Sequence, residues 1–227
     1  MYGFGAVGGS WGGGLSELVR VPYAEAMLVA LPAGVDPAAV ASASDNIPDG
    51  WRTVAPPLER RPGAEVLILG GGARSIALYA VDVAVALGAG RVVYVDADEG
   101  RLRLAESLGA EVVEGEPHRM GPFPITVDAS GSREGLSAAL RSTEPGGTCT
   151  SVGILVEPET PLPLFEMYLN GIEFHIGRVM ARSVIPSLLD LVSSGRIHPE
   201  RITSSVVNWD AAPEAVTESQ TKLVVTR

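Results

Sequence analysis

The sequence predicts an α/β fold built on a doubly wound parallel sheet, and three observations predict it. Short, almost wholly apolar runs recur, the first being Glu65-Val66-Leu67-Ile68-Leu69, and strands covered on both faces have that composition. Between these runs lie longer stretches with helical start and stop residues, so strands and helices alternate as crossover connections require. The first run passes directly into Gly70-Gly71-Gly72-Ala73-Arg74-Ser75, a glycine turn at the point where a strand hands over to a helix.

The chain opens with Gly8-Gly9-Ser10-Trp11-Gly12-Gly13-Gly14, expected to be a loop. Residues 15–21 alternate enough to predict a strand. Asp36-Pro37 sets an N-cap residue before a first-turn proline, predicting a helix from there, with Pro48 and Pro56-Pro57 limiting its extension. After the strand at 65–69, a helix is expected over 77–87, stopped by Gly88, then a strand over 91–95. Asp98 caps the next helix, which ends at Gly109. Further strands are predicted at 111–113, 125–128 and 148–152, with a helix over 136–141 before the last of these. Residues 172–179 read as one more strand and 185–192 as a helix closed by Gly195. The tail predicts a strand at 204–207, a short helix from Pro213 and a final strand at 223–225.

Composition narrows the function. Seventeen basic residues stand against 27 acidic ones, a formal net charge of -10, and such a surface repels phosphate backbones, so nucleic acid is not an expected partner. No apolar run approaches the ~20 residues that span a bilayer. Residues 1–5 have neither a basic nor an apolar signal region, so no membrane partner and a cytoplasmic location are expected. The single cysteine, Cys149, permits no internal disulfide and lies in an apolar stretch, which reads as a buried, inert thiol.

The glycine turn has the form G-x-G-x-x-S. Gly70 permits a tight turn, Gly72 lets backbone amides approach a pyrophosphate, and Ser75 is small enough for close packing of helix on strand. The following helix start adds free N–H donors and partial positive charge. Asp96 ends the second strand, where a carboxylate accepts hydrogen bonds from adenosine ribose hydroxyls and repels a 2′-phosphate, which favours NAD over NADP. Arg101, one turn on, either flanks the ribose or sits on a solvated helix face. These residues describe a Rossmann-type unit over about 65–178 with NAD(H) as its ligand.

In their order along the chain, the residues also resemble the medium-chain, zinc-type alcohol dehydrogenases. The resemblance rests on Gly13-Gly14-Leu15-Ser16-Glu17-Leu18-Val19-Arg20-Val21-Pro22, the glycine turn with Asp96, Ala105-Glu106-Ser107-Leu108-Gly109-Ala110, Val127-Asp128-Ala129-Ser130-Gly131 and Pro145-Gly146-Gly147. Leu191-Val192-Ser193-Ser194-Gly195-Arg196-Ile197 and Asp210-Ala211-Ala212-Pro213-Glu214-Ala215 extend it over nearly the whole chain. It implies a Rossmann domain over 45–181, flanked by remnants of a GroES-like catalytic domain at 1–44 and 182–227, the N-terminal half of that domain being truncated. It implies further that Ser130, Ser151, Val152, Gly153, Gly177 and Arg178 lie near the cofactor, the last five beside the nicotinamide. Lys222 would reach the pyrophosphate, and the strand at 173–179 would pair across a dimer interface. The expected partners are then an alcohol or aldehyde substrate and further copies of the chain, as a dimer or tetramer.

Two departures bear on catalysis. Asp45, in Ser44-Asp45-Asn46-Ile47-Pro48, resembles the formaldehyde dehydrogenase-like variant in which Asp replaces Cys as a zinc ligand, and a turn or cap role accounts for it equally. A catalytic zinc needs three protein ligands, and the Cys and Gly-His-Glu segment that supply the others in the family are not in this sequence. His175 reads as a packed strand residue, and His118 and His198 as surface loop positions. Arg74 replaces a small apolar residue and either binds phosphate or obstructs the nicotinamide. The sequence therefore predicts the NAD(H)-binding portion of a zinc-type alcohol dehydrogenase that does not itself hold zinc. The alternative is a non-catalytic NAD-binding and oligomerising module. A methyltransferase using S-adenosylmethionine would leave the tail beyond 182 without a purpose.

Overall fold

The structure is a computed structural model that describes residues 9, 10 and 12–227. The expectation of no signal region at 1–5, and Gly8 and Trp11 of the opening loop, lie outside the described residues. The chain divides into two compact units, Met1–Ala30 and Leu31–Arg227.

In the first unit, residues 15–21 form bends and coil rather than the expected strand. Alternation supplies a face to bury, but a strand also needs a neighbour to satisfy its backbone, and Leu15, Leu18 and Val19 stay exposed. A single helical turn, α1 (Ala24–Met27), follows Tyr23, which sits in the left-handed region at φ 54.

The second unit corrects the first predicted helix. Asp36 does what a capping residue does, its Oδ1 accepting the Ala38 N–H at 3.0 Å, but 37–45 run as successive turns. The helix α2 (Asn46–Arg60) begins only afterwards and contains Pro48, Pro56 and Pro57. Proline normally breaks a helix interior. Here tertiary packing overrides it, because α2 buries Ile47, Val54 and Leu58 and lies directly on the next helix. A Cβ at Gly50 would stand 2.9 Å from Ala80 N, Ile76 O and Tyr79 Cβ, so glycine lets the two backbones touch.

The remaining crossovers follow the sequence closely. In order come β1 (Glu65–Leu69), α3 (Arg74–Ala86), β2 (Arg91–Asp96), α4 (Glu99–Ser107), β3 (Glu111–Glu114) and β4 (Phe123–Asp128). They are followed by α5 (Arg133–Arg141), β5 (Thr143–Ser151), α6 (Leu164–Asn170) and β6 (Glu173–His175). All six strands pair in parallel in the order β3-β2-β1-β4-β5-β6. Val66, Leu67, Ile68 and Leu69 are wholly buried, as a central strand covered on both faces must be. Cys149 is buried in β5, where desolvation pushes its thiol up to about 12 and keeps it protonated.

The expected strand over 172–179 is shortened to three residues, ending before Gly177 at φ 140. His175 is exposed on this edge rather than packed, because β6 has a neighbour on one side only. The helix α6 has no counterpart among the predicted elements. Beyond the sheet, α7 (Ala181–Ser193), a 3-10 turn (Pro199–Ile202), β7 (Ser205–Asn208), α8 (Ala212–Ala215) and β8 (Leu223–Thr226) complete the unit, β7 and β8 pairing in parallel. Among the described residues no helix is long and apolar enough to cross a membrane.

Candidate functional site

Strand order reverses between β1 and β4, and a parallel sheet opens a crevice at that switch point, beyond the carboxyl ends of its strands. Register brings those ends level: Leu69 faces Val95 and Asp128, and Asp128 faces Ser151. The glycine turn enters this crevice from β1.

Each glycine serves a different contact. The Gly70 N–H donates to Val95 O at 2.8 Å, and a Cβ there would fall 2.5 Å from Asp96 Oδ2 and 2.6 Å from Tyr94 Oη. Gly70 is thus small because β2 side chains fill its space. The left-handed backbone belongs to Gly71, at φ 135, rather than to the first glycine. Gly72 donates to Ser130 O at 2.7 Å and Ala73 to Ala129 O at 2.9 Å, which ties the turn to the end of β4. A Cβ on Gly72 would approach Ser130 O to 2.9 Å.

These bonds consume two of the amides that the sequence reading offers to a pyrophosphate. The donors that remain are those of the first turn of α3, at Arg74, Ser75 and Ile76, ahead of the first intrahelical bond from Ala77 N to Ala73 O. Ala73, in the capping position, provides no side-chain cap, whereas Asp98 caps α4 and Ser132 caps α5. An open N-terminus of a thirteen-residue helix, carrying partial positive charge, suits an anion. Ser75 is buried in that first turn.

Two clefts flank the helix start. One, of about 320 Å3, is lined by Gly70, Gly71 and Gly72 together with Arg74, Asp96 and Arg101. The other, of about 350 Å3, is lined by Asn46, Gly72, Ser75, Ile76, Gln220 and Thr221, and again by Arg74. Arg74 stands between them, its Nη1 donating to Ser219 Oγ at 2.6 Å and Gln220 O at 3.2 Å. Gln220 Oε1 is buried without a donor, so this wall retains an unused acceptor.

Asp96 lines the first cleft and is already paired. It is 1% exposed and accepts four hydrogen bonds: Tyr94 Oη at 2.5 Å, Asp98 N–H at 2.9 Å, Arg101 Nε at 2.8 Å and Arg101 Nη2 at 2.7 Å. Burial works to raise its pKa, but the bonds from Arg101, Tyr94 and Asp98 outweigh burial and hold the carboxyl below its ordinary value. Arg101 is therefore not on a solvated helix face: its guanidinium forks onto Asp96 at the wall of this cleft.

Asp128 is the residue that sequence reasoning passes over. Its Oδ1 accepts the Ser130 N–H at 3.1 Å and the Ser130 hydroxyl at 2.6 Å, and its Oδ2 accepts Ser151 Oγ at 2.7 Å. Its backbone oxygen takes the Val152 N–H at 2.9 Å. One carboxylate thus shapes the Ser130 turn, on which Gly72 rests, and joins the ends of β4 and β5. Burial raises its pKa against these donors. A lone acid ending an apolar strand is the available signal. Gly153 follows closely, since a Cβ there would approach Gly131 N to 2.9 Å.

Lys222 Nζ bonds Asn46 Oδ1, beside the second cleft; burial lowers its pKa, opposed by the nearby Asp45. Asp45 itself is exposed at the capping position of α2 and makes no side-chain cap bond. Its charged neighbours are Lys222 and Asp49, and among the described residues no three His, Cys, Asp or Glu side chains gather to hold a metal. The residues present do not fit a catalytic zinc.

A parallel, doubly wound sheet with a glycine turn and an uncapped helix at its switch point defines a Rossmann-type protein. Residues 75–194 match the family described as zinc-binding dehydrogenase. The chain belongs to this family, the medium-chain zinc-type alcohol dehydrogenases. Among its relatives, a probable zinc-binding alcohol dehydrogenase, Rv1895, of Mycobacterium tuberculosis is 29% identical over 217 residues, which cover 92% of this chain and 55% of that protein. An alcohol dehydrogenase of Geobacillus stearothermophilus is 32% identical over 60% of this chain and 42% of its own. In structure, the alcohol dehydrogenase TADH from Thermus sp. ATN1 superposes with a TM-score of 0.84 at 30% identity, over 94% of this chain and 66% of that one. The chain thus spans about half the length of the curated relatives it matches.

Proposed function

We propose that this chain is an NAD(H)-binding and self-associating module of the zinc-type alcohol dehydrogenases. One observation carries the reading: the uncapped start of α3 at the switch point, behind a glycine turn with no room for a Cβ. The adenosine half would lie in the cleft bounded by Asp96 and Arg101, and the diphosphate would meet the first-turn amides and Arg74. Ser130, Val152, Gly153 and Lys222 would border the remaining half. Bound there, the nicotinamide would supply hydride transfer between an alcohol and an aldehyde. That activity belongs to the family's whole proteins, and the surroundings of Asp45 favour the module reading for this chain.

The layout that goes with it is residues 1–44 and 182–227 as parts of a GroES-like catalytic domain around a Rossmann domain at 45–181. A lone buried thiol is compatible with the cytoplasm. The exposed apolar side chains of α6 and the free edge of β6 support self-association as a dimer or tetramer.

Calorimetric titration with NADH tests the proposal. A micromolar dissociation constant is expected, weakened about tenfold or more in Gly72→Val, whose side chain would displace the turn from Ser130. No saturable binding at millimolar NADH would end the nucleotide reading. With NAD, an alcohol and added zinc the chain is expected to form no NADH, and steady turnover would instead favour a complete enzyme.

A further inference from the structure

The tail loop 219–222 runs between the starts of two helices. At one end Arg74, the first residue of α3, donates from Nη1 to Ser219 Oγ at 2.6 Å and to Gln220 O at 3.2 Å. At the other, Lys222 Nζ bonds Asn46 at the start of α2, and the Lys222 N–H donates to Ser204 Oγ at 3.0 Å. Gln220 and Thr221 line the second cleft between these ties. We propose that Arg74 bridges a bound diphosphate and this loop, so that a phosphate-bearing nucleotide latches the loop shut and the loop in turn strengthens binding. The inference rests on the proposed nucleotide site and names how the tail regulates it.

A cation is unfavourable at a helix N-terminus, and among the described residues no carboxylate pairs with the Arg74 guanidinium. Asp96 and Glu116 line the first cleft with it, but Asp96 is taken by Arg101 and neither acid pairs with Arg74. Its partners are neutral oxygens, both on Nη1. A guanidinium has five N–H groups, and Nη1 accounts for two, which leaves the Nε and Nη2 edge unused. That edge grips a phosphate side-on with two parallel bonds, and it stands beside the open first-turn amides of α3. Phosphate and loop thus use different edges of one guanidinium. Both are held at once, and each favours the other.

The closed loop is itself poised to open. Gln220 Nε2 donates to Ala215 O at 3.1 Å, which fixes the amide and leaves Oε1 buried without a donor. A buried acceptor in that state weighs against the closed form, and opening returns it to water. Arg74 is then the tie that a ligand tightens, and the coupling is reciprocal.

The test follows hydrogen exchange at the Thr217, Glu218 and Lys222 amides, bonded in the closed loop to Glu214 O, Ala215 O and Ser204 Oγ. Saturating ADP or NADH is expected to slow exchange about fivefold or more, whereas adenosine, which brings no phosphate, should leave it within about twofold. Arg74→Ala should abolish the slowing and weaken ADP about fivefold or more, as reciprocity requires. Arg74→Lys guards against loss of folding. Its point charge still attracts phosphate but cannot fork onto it while holding the loop, so ADP should bind more tightly than to Arg74→Ala with the slowing still lost. Slowing that bound ADP fails to produce, that adenosine produces equally, or that survives Arg74→Ala overturns the inference while leaving the nucleotide site standing. Failure of ADP and NADH alike to bind would overturn the nucleotide site and this inference with it.

Discussion

Asp96 and Asp128 end neighbouring stretches of the same crevice, yet their proton equilibria move in opposite directions. Hydrogen bonds from Arg101, Tyr94 and Asp98 overcome the burial of Asp96 and lower its pKa, so its contribution to stability is present above the unfolded value of 3.8 and is lost as pH falls through the folded value. Burial of Asp128 prevails over its serine donors, so the folded state holds its proton more tightly than the unfolded chain. Stability from Asp128 is therefore complete below 3.8 and declines as pH rises through the raised folded value. Asn at 128 keeps an acceptor for Ser130 and the side-chain shape. Urea unfolding of Asp128→Asn against the unaltered chain should show that the variant gains relative stability as pH rises from about 4 to 7. Asp128→Ala strands the Ser130 and Ser151 hydroxyls and should cost about 1–3 kcal/mol at neutral pH. Parallel pH profiles for the unaltered chain and Asp128→Asn would show that the carboxyl carries no such linkage.

The helix pair α2–α3 places the candidate site, because α3 begins at the glycine turn and α2 brings Asn46 to the second cleft. Gly50 controls their approach. A methyl group there meets backbone at 2.9 Å from Ala80 N and Ile76 O, and backbone yields less readily than the end of a flexible side chain. Gly50→Ala gains helix propensity on an open helix but should cost roughly 1–3 kcal/mol here through overpacking. An unchanged or raised melting temperature would show that the helices separate freely. The same pair explains which elements are legible in the sequence. The runs Val66–Leu69 and Val92–Val95 declare themselves because a strand buried on both faces needs apolar side chains throughout, and Asp98 declares α4 because the cap lies beside its helix. The start of α2 is not legible, since Asp36-Pro37 carries local helix signals while the distant contact at Gly50 decides the outcome. In the site, the glycine turn and Asp96 are legible from their order along the chain. The Arg101 fork is not, because its closure depends on how the loop 96–99 folds and on Tyr94 pressing from the strand.

Across the whole second unit, the sheet is protected unevenly. β3 ends one edge with charged residues at both its termini, Glu111 pairing with Arg91 at 2.7 Å, which discourages further strand addition. The opposite edge, β6, is three residues long and adjoins a run of large apolar side chains that remain in solvent. On α6 alone, Leu164, Phe165, Tyr168 and Leu169 are each at least 64% exposed, Phe165 at 74% and Tyr168 at 81%, and Ile176 and Met180 follow beyond β6. Single exposed apolar residues are ordinary on proteins, but a succession beside an open strand edge is the kind of surface the proposed self-association would use. In that proposal two β6 strands related by a two-fold axis would pair antiparallel and extend the sheet through both subunits. The net charge of -10 opposes such an association at long range, so the apolar contact must outweigh repulsion and should strengthen with salt. Sedimentation equilibrium is therefore expected to give a mass at least twice the 23.6 kDa of the chain at moderate ionic strength. Replacing both Phe165 and Tyr168 by Asp should return it to a monomer, with NADH binding retained because neither residue borders the crevice. A monomer before substitution, or an assembly indifferent to both aspartates, would mean that this edge is not where copies of the chain meet.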